Sequence, residues 1–395
     1  MAKQILIVGG GVGGTMTANH LVAKLYPEIL AEEVKIKLLS DSPWHYYKPA
    51  FMYVAFNMFF KDELRRKERS LLRPEIDFEI DSAVHFDFKN KTVKTLRATL
   101  HYDYLVIATG CLPAPERIEG LKEAGDYFYQ YKPALRLSEK FQKLQKGRVL
   151  ITVSFPKTPN VPHQCGIAPM ETTFILDDYL RSRGIRDKVE IVYTYPKTAQ
   201  LQTCALFLQK PTSEALPYFF ESKGIKYKRG FTLSKVDPEA KIAYSEEGEK
   251  ESFDILMATP PIRAVDAVID SGISDAADNE GWLPTDRETL KVKGTEGVYV
   301  LGDTVDLPVS KAGGTCHNQS PVIVNNIASE IRFSRTSDIY EGRVVAIAQM
   351  GMEAGMPLWY NYKEDVQPLP PNKLGSLMRK GFNRGIYWAV ARGIV

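Results

Sequence analysis

The stretch KQILIVGGGVGGTMTANHLVAKLY at residues 3–26 constrains the fold more than any other part of the sequence. It begins as an apolar strand, passes through a glycine-rich turn and continues as an amphipathic helix. Gly9, Gly11 and Gly14 have the G-x-G-x-x-G spacing, which permits a tight turn, close approach of a diphosphate and close strand–helix packing. The positive end of the helix then faces the phosphates. A glycine-rich turn that bound no ligand would not need to stand between a strand and an amphipathic helix. The sequence therefore predicts a Rossmann-like domain that binds a dinucleotide.

The residues after the second predicted strand are expected to contact the ribose of this dinucleotide. An acidic residue usually ends that strand and holds the ribose hydroxyls. Here the strand VKIKLL at 34–39 is followed by Ser40 and then Asp41. Asp41 is therefore the candidate for the ribose contact. It stands one position later than the usual place, and Ser40 precedes it.

Two further apolar strands end in small-residue turns. YDYLVIATG at 102–110 ends in Ala108, Thr109 and Gly110, and GVYVLGDT at 297–304 ends in Gly302 and Asp303 before its last threonine. With the glycine motif, these segments resemble the signatures of FAD-dependent reductases that have two dinucleotide-binding domains. The resemblance implies FAD as the cofactor and a contact between the Asp303 carboxylate and its ribitol.

A second Rossmann-like unit is expected at 119–249, inserted into the first. Its predicted elements are the strand RVLITV (148–153), the helix METTFILDDYLRSRG (170–184) and the strand KVEIVYTYP (188–196). The turn after its first strand has Pro156, Pro159 and Pro162 where glycines would serve a diphosphate. Proline has no backbone N–H to donate, so standard NAD(P)H binding is not expected there.

Cys165 follows this proline-rich turn and precedes the predicted helix. A helix N-terminus lowers the pKa of a thiol and favours a reactive thiolate, and His163 is close in sequence. The alternative is a buried structural cysteine. The other cysteines, Cys111, Cys204 and Cys316, are far apart, and no pair has a CxxC or metal-ligand spacing.

Several segments resemble the family of sulfide:quinone oxidoreductases and flavocytochrome c sulfide dehydrogenases over nearly the whole chain. In this family a proline-rich segment replaces the nicotinamide phosphate loop and brings a redox cysteine to the flavin. The matching segments are VSFPKTPNVPHQCGIAP (153–169), FDILMATPP (253–261), GWLPTD (281–286), GDTVDLPVSKAGGTCHNQSPVIVNNI (302–327) and GIYWAVARG (385–393). Cys165 matches the family's central cysteine.

The cysteine set departs from the family pattern. The resemblance implies partner cysteines around 341–351 and near 127–133, but these stretches contain none. Cys316, in the first turn of a predicted helix, could pair with Cys165 if their Cα atoms lie within about 7 Å. The alternative is that Cys316 packs against FAD as a small apolar residue.

Two ionisable residues are further candidates for the chemistry. Lys311 resembles the family lysine near the flavin pyrimidine, where a cation stabilises the anionic reduced flavin. The alternative is a surface lysine. Glu171 is a candidate acid or base, and the alternative is a first-turn glutamate that only favours the helix dipole.

The segment LPPNKLGSLMRKGFNRGIYWAVARGIV at 369–395 mixes apolar and basic residues, as an interfacial membrane helix does. Tyr387 and Trp388 are suited to the headgroup layer. The apolar stretch at 49–60 is expected to line the same region. The alternative is an amphipathic helix that docks on its own core or in a dimer.

The predicted organisation is an α/β chain with two Rossmann-like domains and a C-terminal amphipathic membrane-contact region. We expect an FAD-binding domain at 1–118 and 250–330, the second domain at 119–249, and a membrane and quinone region at 331–395. The net charge of +3 does not indicate a nucleic-acid binder. Without a signal peptide or a run of about 18 apolar residues, we expect peripheral attachment at the cytoplasmic face of the membrane. A homo-oligomer is left open.

The resemblance implies a FAD-dependent sulfide:quinone oxidoreductase that passes two electrons from sulfide, through Cys165 and the flavin, to a membrane quinone. One alternative is a type II NADH:quinone oxidoreductase, which the missing second glycine motif disfavours. Another is a flavin-bearing sensor or scaffold without turnover. The flavocytochrome form is less favoured because the sequence has a membrane-type tail.

Overall fold

The structure is a computed structural model that describes residues 2–154, 165–196, 212–273, 281–364 and 367–394. His163, Cys204 and the three prolines after the strand at 148–153 lie outside these residues. The described helices are α1 (Val12–Lys24), α2 (Tyr26–Leu30), α3 (Phe51–Val54), α4 (Leu121–Ala124), α5 (Tyr131–Lys143), α6 (Ile167–Ser182), α7 (Thr212–Ser222), α8 (Asp266–Ile269), α9 (Gly313–Phe333), α10 (Lys373–Gly381) and α11 (Tyr387–Ala391).

The strands fall into two five-stranded parallel sheets and several small antiparallel ones. They are β1 (Lys3–Val8), β2 (Val34–Ser40), β3 (Trp44–Tyr46), β4 (Arg65–Lys67), β5 (Ile76–Ile80), β6 (Ala83–Asp87), β7 (Thr92–Thr95), β8 (Thr99–His101), β9 (Tyr104–Ile107), β10 (Leu112–Pro113), β11 (Gly125–Asp126), β12 (Gly147–Val153), β13 (Val189–Tyr195), β14 (Lys226–Arg229), β15 (Leu233–Asp237), β16 (Ile242–Ser245), β17 (Lys250–Ser252), β18 (Ile255–Thr259), β19 (Ile262–Arg263), β20 (Val298–Val300), β21 (Val344–Gln349), β22 (Gly355–Tyr360) and β23 (Gln367–Pro368).

The first parallel sheet has the strand order β20-β9-β1-β2-β5. Its central strands are short apolar runs because both faces are covered, as is usual for parallel sheets. Helices α1 and α9 pack against each other beside it. The carboxyl ends of β1, β9 and β20 therefore meet at one edge, which brings together the three turns singled out in the sequence. The α/β fold class predicted from these segments is confirmed.

The second parallel sheet has the order β11-β18-β12-β13-β14, and α6 connects β12 to β13. The strands predicted at 148–153 and 188–196 are present with nearly the same bounds. Strand β18 pairs with β12 in this sheet. We therefore propose that the chain returns to the first domain after Thr259, rather than at residue 250.

The C-terminal region is a three-stranded hairpin sheet, β21-β22-β23, followed by α10, a π-helical turn at Phe382–Ile386 and α11. Helix α10 packs on β22, and α11 packs on α1. Tyr387 and Trp388 are both buried, so the prediction that their rings lie in the headgroup layer is wrong. They pack with His45 and Tyr47 instead. Among the described helices, none has the length and apolar character needed to cross a bilayer.

The apolar stretch at 49–60 also differs from expectation. It forms α3 and its flanking turns, and Phe51, Tyr53 and Phe56 are buried in the core shared with the second sheet. Only Phe60, at its end, is a large exposed apolar side chain. Apart from Phe60, the stretch therefore packs in this core, which also contains Tyr387 and Trp388, rather than presenting an apolar surface.

A buried carboxylate anchors α6 within the second sheet. Asp177 is fully buried and pairs with Arg181 at 2.9 Å, Arg186 at 2.5 Å and Lys223 at 3.3 Å. Burial alone would raise the pKa of Asp177, but hydrogen bonds from the two arginines hold it below its usual value. The pairing joins α6 to the segments before β13 and β14.

We expect Asp177→Ala to lower the free energy of unfolding by about 3 kcal/mol, because it leaves several cations without their shared buried partner. Urea unfolding would measure this loss. The control Asp187→Ala removes an exposed carboxylate ten residues further on and should change stability by no more than about 0.5 kcal/mol. Equal effects of the two substitutions would contradict this assignment.

Candidate active site

The glycine turn after β1 is shaped by close backbone contacts. Gly9 has a φ of +120°, and a side chain there would collide with the Ala108 carbonyl. A side chain on Gly14 would collide with the Gly9 carbonyl, whereas Gly11 has no neighbour within 4 Å of the same position. Two glycines are therefore needed for packing, and the third leaves open space. This is the arrangement that lets a diphosphate approach the backbone.

The turns after β9 and β20 are tied to each other by hydroxyl groups. Thr304 Oγ1 donates to the Gly110 carbonyl at 3.0 Å and lies 3.2 Å from Thr109 Oγ1. Gly110 has a φ of +69° and open space where a side chain would project. The signature segments at Ala108–Gly110 and Gly302–Asp303 thus line one groove together with the glycine turn.

The Gly302–Asp303 turn presents polar groups to this groove. Gly302 N–H donates to Gln319 Oε1 at 2.7 Å, while Gln319 Nε2 is buried and has no hydrogen-bond partner in the part of the chain described. The Cys111 thiol donates to Asp303 Oδ2 at 3.5 Å. Burial raises the pKa of Cys111 well above its usual value, and the Asp303 carboxylate adds to the effect. Cys111 is therefore a neutral thiol beside this carboxylate.

Lys311 is buried rather than on the surface, so the surface alternative is wrong. Its Nζ donates to the carbonyls of Asp303 and Val305, the second at 2.9 Å. It also lies 3.7 Å from the centroid of the Trp282 ring, within the range of a cation–π contact. The cation holds the turn that carries Asp303.

Of the two candidate ribose contacts after β2, one is buried and the other is exposed. Ser40 is buried, and its side chain faces Gly10 in the glycine turn, whereas Asp41 is exposed. The Glu68 carboxylate, which the sequence did not indicate, also faces Gly10. A residue far along the chain thus brings a carboxylate to the glycine turn.

Glu68 belongs to a fully buried polar network. Its Oε1 accepts from Thr15 Oγ1 at 2.6 Å, and its Oε2 lies 3.0 Å from His45 Nδ1. His45 Nε2 is hydrogen-bonded to the Tyr387 hydroxyl on α11. The network links the first helix of the glycine motif to the C-terminal helices, and no local spacing in the sequence could have shown it.

Cys165 lies just before α6, whose first residue is Ile167, and its side chain is half-buried. Tyr129 and Tyr193 are close enough to interact electrostatically with its sulfur. The Tyr129 hydroxyl is buried without a hydrogen-bond partner in the residues that are described. The position at a helix N-terminus agrees with the expectation, and the surrounding phenols are groups that sequence reasoning missed.

Glu171 is the fifth residue of α6 and is not in its first turn, so the alternative based on the helix dipole is wrong. The carboxylate is buried, accepts from Gln349 N–H at 2.7 Å and lies 3.8 Å from Arg379 Nη2. Burial raises the pKa of Glu171 to about 7, against the opposing effects of Arg379 and the Gln349 N–H. The neighbouring Cys165 sulfur also raises it. Glu171 can therefore gain or lose a proton near neutral pH.

Cys316 is buried near the glycine turn rather than facing Cys165. A methyl group added to Gly302 or Gly13 would lie 3.0 or 3.3 Å from its sulfur. Cys316 packs in the core of the first sheet, whereas Cys165 packs against the core that includes the second sheet. Cys111, Cys165 and Cys316 are thiols rather than disulfides. Burial raises the pKa of Cys316 above its usual value. The geometry therefore favours the alternative in which Cys316 packs as a small apolar residue.

Comparisons with known proteins agree with this arrangement. Residues 3–152 match the family model of pyridine nucleotide-disulphide oxidoreductases. The mitochondrial sulfide:quinone oxidoreductase of Dictyostelium discoideum is 28% identical over 82% of this chain and 70% of that protein. The solved sulfide:quinone oxidoreductase of Aquifex aeolicus has a TM-score of 0.84 at 22% identity, covering 99% of this chain and 92% of that one.

A second kind of flavoprotein has a less similar fold. The structure of NDH2 from Plasmodium falciparum in complex with NADH has a TM-score of 0.71 at 13% identity, covering 99% of this chain and 98% of that one. Both solved structures share the arrangement of two dinucleotide-binding domains. The chain is therefore similar over most of its length to sulfide:quinone oxidoreductases, and the solved structures show that it shares their fold.

Proposed function

We propose that this protein is a FAD-dependent sulfide:quinone oxidoreductase attached to the membrane surface. The observation that carries the proposal is that Cys165, just before α6, lies close enough to the buried carboxylate of Glu171 on that helix for the two groups to interact electrostatically. A thiol beside an acid that titrates near neutral pH is suited to sulfur chemistry in which thiols must lose and regain protons.

The groove at the edge of the first sheet fits a flavin dinucleotide. Open space at Gly11 and Gly110 leaves room for the diphosphate and for the chain that follows it. We assign the FAD site to the residues predicted from the sequence, with Lys311 fixing the turn of Asp303: Gly9, Gly11, Gly14, Ser40, Asp41, Ala108, Thr109, Gly110, Gly302, Asp303 and Lys311. When bound, a flavin accepts two electrons from one substrate and passes them to another.

Cys165 is the proposed sulfur relay. Joining hydrosulfide and the Cys165 thiol as a persulfide breaks one S–H bond, releases one proton and two electrons, and leaves the second sulfur on the protein; a bound flavin would be the two-electron acceptor. Glu171 as a carboxylate takes the proton that the Cys165 thiol gives up. Since Cys316 packs near the glycine turn, we propose this chemistry with one cysteine rather than a pair of them.

The alternative of a type II NADH:quinone oxidoreductase is supported by the overall fold and by sequence relatives of lower identity. Its nicotinamide would need a diphosphate site after β12, where the sequence has prolines instead of glycines. A sensor without turnover would hold FAD but react with neither sulfide nor quinone. Reaction with sulfide therefore separates the proposed function from both alternatives, and reduction of the flavin by NADH separates the two alternatives from each other.

The C-terminal helix α10 is the proposed membrane contact. Leu374, Leu377 and Met378 are exposed by 65%, 66% and 55% on this helix, with Lys373 beside them. Exposed apolar side chains combined with basic ones are typical of interfacial helices. The side of the membrane stays a prediction from the sequence, namely the cytoplasmic face, and a homo-oligomer is left open.

The cofactor assignment predicts opposite outcomes for two glycine substitutions. Gly11→Val should fold normally, because its side chain enters open space, but should lose flavin because it fills the diphosphate position. Gly14→Ala should lower the melting temperature of the flavin-free protein, because its methyl group meets the Gly9 carbonyl. Flavin absorbance after gel filtration and thermal melting measure the two effects. Full flavin content in Gly11→Val would contradict the site.

The sulfur assignment predicts that sulfide bleaches the flavin absorbance of the wild type anaerobically and that an added quinone restores it. Cys165→Ser should lose the bleaching, because no thiol remains to form the persulfide. Cys316→Ala should keep it, because Cys316 serves packing. If Cys316→Ala and Cys165→Ser both abolish bleaching while retaining flavin, the two-cysteine alternative is correct. If sulfide fails to bleach the wild type, the proposed function is wrong.

The membrane assignment predicts that the double substitution Leu374→Glu and Leu377→Glu weakens binding to vesicles containing anionic lipid by at least roughly tenfold, since burying a leucine is worth about 1.5–3 kcal/mol. Co-sedimentation measures the binding. The control Leu96→Glu changes an equally exposed leucine at the turn between β7 and β8. If only the control loses binding, or if neither variant loses it, α10 is not the membrane contact.

A further inference from the structure

Two hydroxyl groups lie buried beside each other near Cys165. Tyr129 Oη and Thr259 Oγ1 are close enough for one to donate to the other, yet neither makes a hydrogen bond of ordinary geometry within the part of the chain that is described. Thr259 is only 1% exposed. A pair of hydroxyls has two protons, and at most one of them is used within the pair. At least one buried O–H is therefore left without an acceptor, which costs about 1–3 kcal/mol.

The second sheet places this hydroxyl pair at the end from which α6 begins. Thr259 is the last residue of β18 and pairs with Val153, the last residue of β12. Paired residues of neighbouring parallel strands point to the same face of the sheet. Val153 packs in the same core as Phe174 of α6, so Thr259 projects on the side of this helix. Since α6 begins two residues after Cys165, the hydroxyls and the thiol lie at the same end of the sheet.

The Tyr129 hydroxyl also lies near the groove of the first sheet. It is within electrostatic range of the sulfurs of both Cys165 and Cys111. Cys111 follows the turn that ends in Gly110, and its thiol donates to Asp303 Oδ2 at 3.5 Å. The hydroxyl pair is therefore placed between the thiol that would take up sulfur and the groove that we assign to the flavin. A small ligand held there is next to both reacting partners.

The ligand that suits these hydroxyls is a small anion, and hydrosulfide is the anion that the proposed reaction consumes. Burial and the Cys165 sulfur raise the pKa of Tyr129 well above its usual value. The phenol therefore stays protonated and keeps its proton for donation, as the Thr259 hydroxyl also does. Hydrogen bonds from such donors to a charged acceptor are worth about 1.5–3 kcal/mol each, more than the bond that the two hydroxyls could make with each other.

We propose that the hydroxyls of Tyr129 and Thr259 bind the hydrosulfide ion beside Cys165. The inference rests on the proposed function and adds the residues that hold its sulfur substrate. Both O–H groups turn toward the bound anion and keep their protons, so binding changes no covalent bond. The S–S bond then forms as described above, with the electrons leaving to the flavin. Tyr129 and Thr259 set the position of the incoming sulfur and do not exchange protons with it.

The test follows anaerobic bleaching of the flavin by sulfide in the holoenzyme, at constant pH and over a range of sulfide concentrations. We expect Tyr129→Phe and Thr259→Val each to raise the half-saturating sulfide concentration about tenfold or more, while the rate at saturating sulfide stays close to that of the wild type. Thr259→Ser keeps the hydroxyl and should match the wild type. The control Tyr127→Phe should match it too, because this hydroxyl already donates to Gln130 Oε1 at 3.0 Å.

The comparison of these variants separates binding of sulfide from a role in packing. Reduction by dithionite needs no sulfur site, so all variants should be reduced by it at the wild-type rate. An unchanged half-saturating concentration in Tyr129→Phe and Thr259→Val, with or without a lower limiting rate, would overturn the inference. An equal rise in Thr259→Ser or in Tyr127→Phe would also overturn it. A wild type that sulfide does not bleach would overturn the proposed function instead.

Discussion

The buried carboxylate of Glu171 joins three parts of the chain that are distant in sequence. It extends from α6, which lies beside the second sheet, and accepts a hydrogen bond from Gln349 at the end of β21. It also faces Arg379 on α10. A buried carboxylate must be paired, hydrogen-bonded or protonated, and here each neighbour meets part of that demand. The C-terminal helices are thereby held against the domain that carries Cys165.

The rest of the site follows from this arrangement. The first sheet provides a groove in which glycines leave room for a dinucleotide, and Lys311 fixes the turn that carries Asp303. The second sheet has five parallel strands, and its helix α6 begins two residues after Cys165. The buried network of Glu68, His45 and Tyr387 connects the glycine motif to the same C-terminal helices. The C-terminal helices are therefore linked both to the glycine motif and to the helix that follows Cys165.

The sequence predicted those features that depend on local patterns. Strand–turn–helix patterns placed β1, β2, β9, β12, β13 and β20, because glycine spacing and apolar runs act over a few residues. The rings of Tyr387 and Trp388 were placed in the headgroup layer because composition cannot tell which side of an amphipathic helix faces the protein. Glu68 and Arg379 were missed because their roles arise from contacts between segments that are not adjacent in the sequence.

The central claim is that one cysteine, Cys165, receives the sulfur while its electrons go to quinone. It is tested most directly by a single anaerobic turnover with sulfide and a quinone, followed by mass spectrometry of peptides from the protein. The account predicts one additional sulfur atom on the peptide that contains Cys165, in proportion to the quinol formed. Quinol formed without sulfur on Cys165, or with the sulfur on the peptide of Cys316 or Cys111, would contradict it.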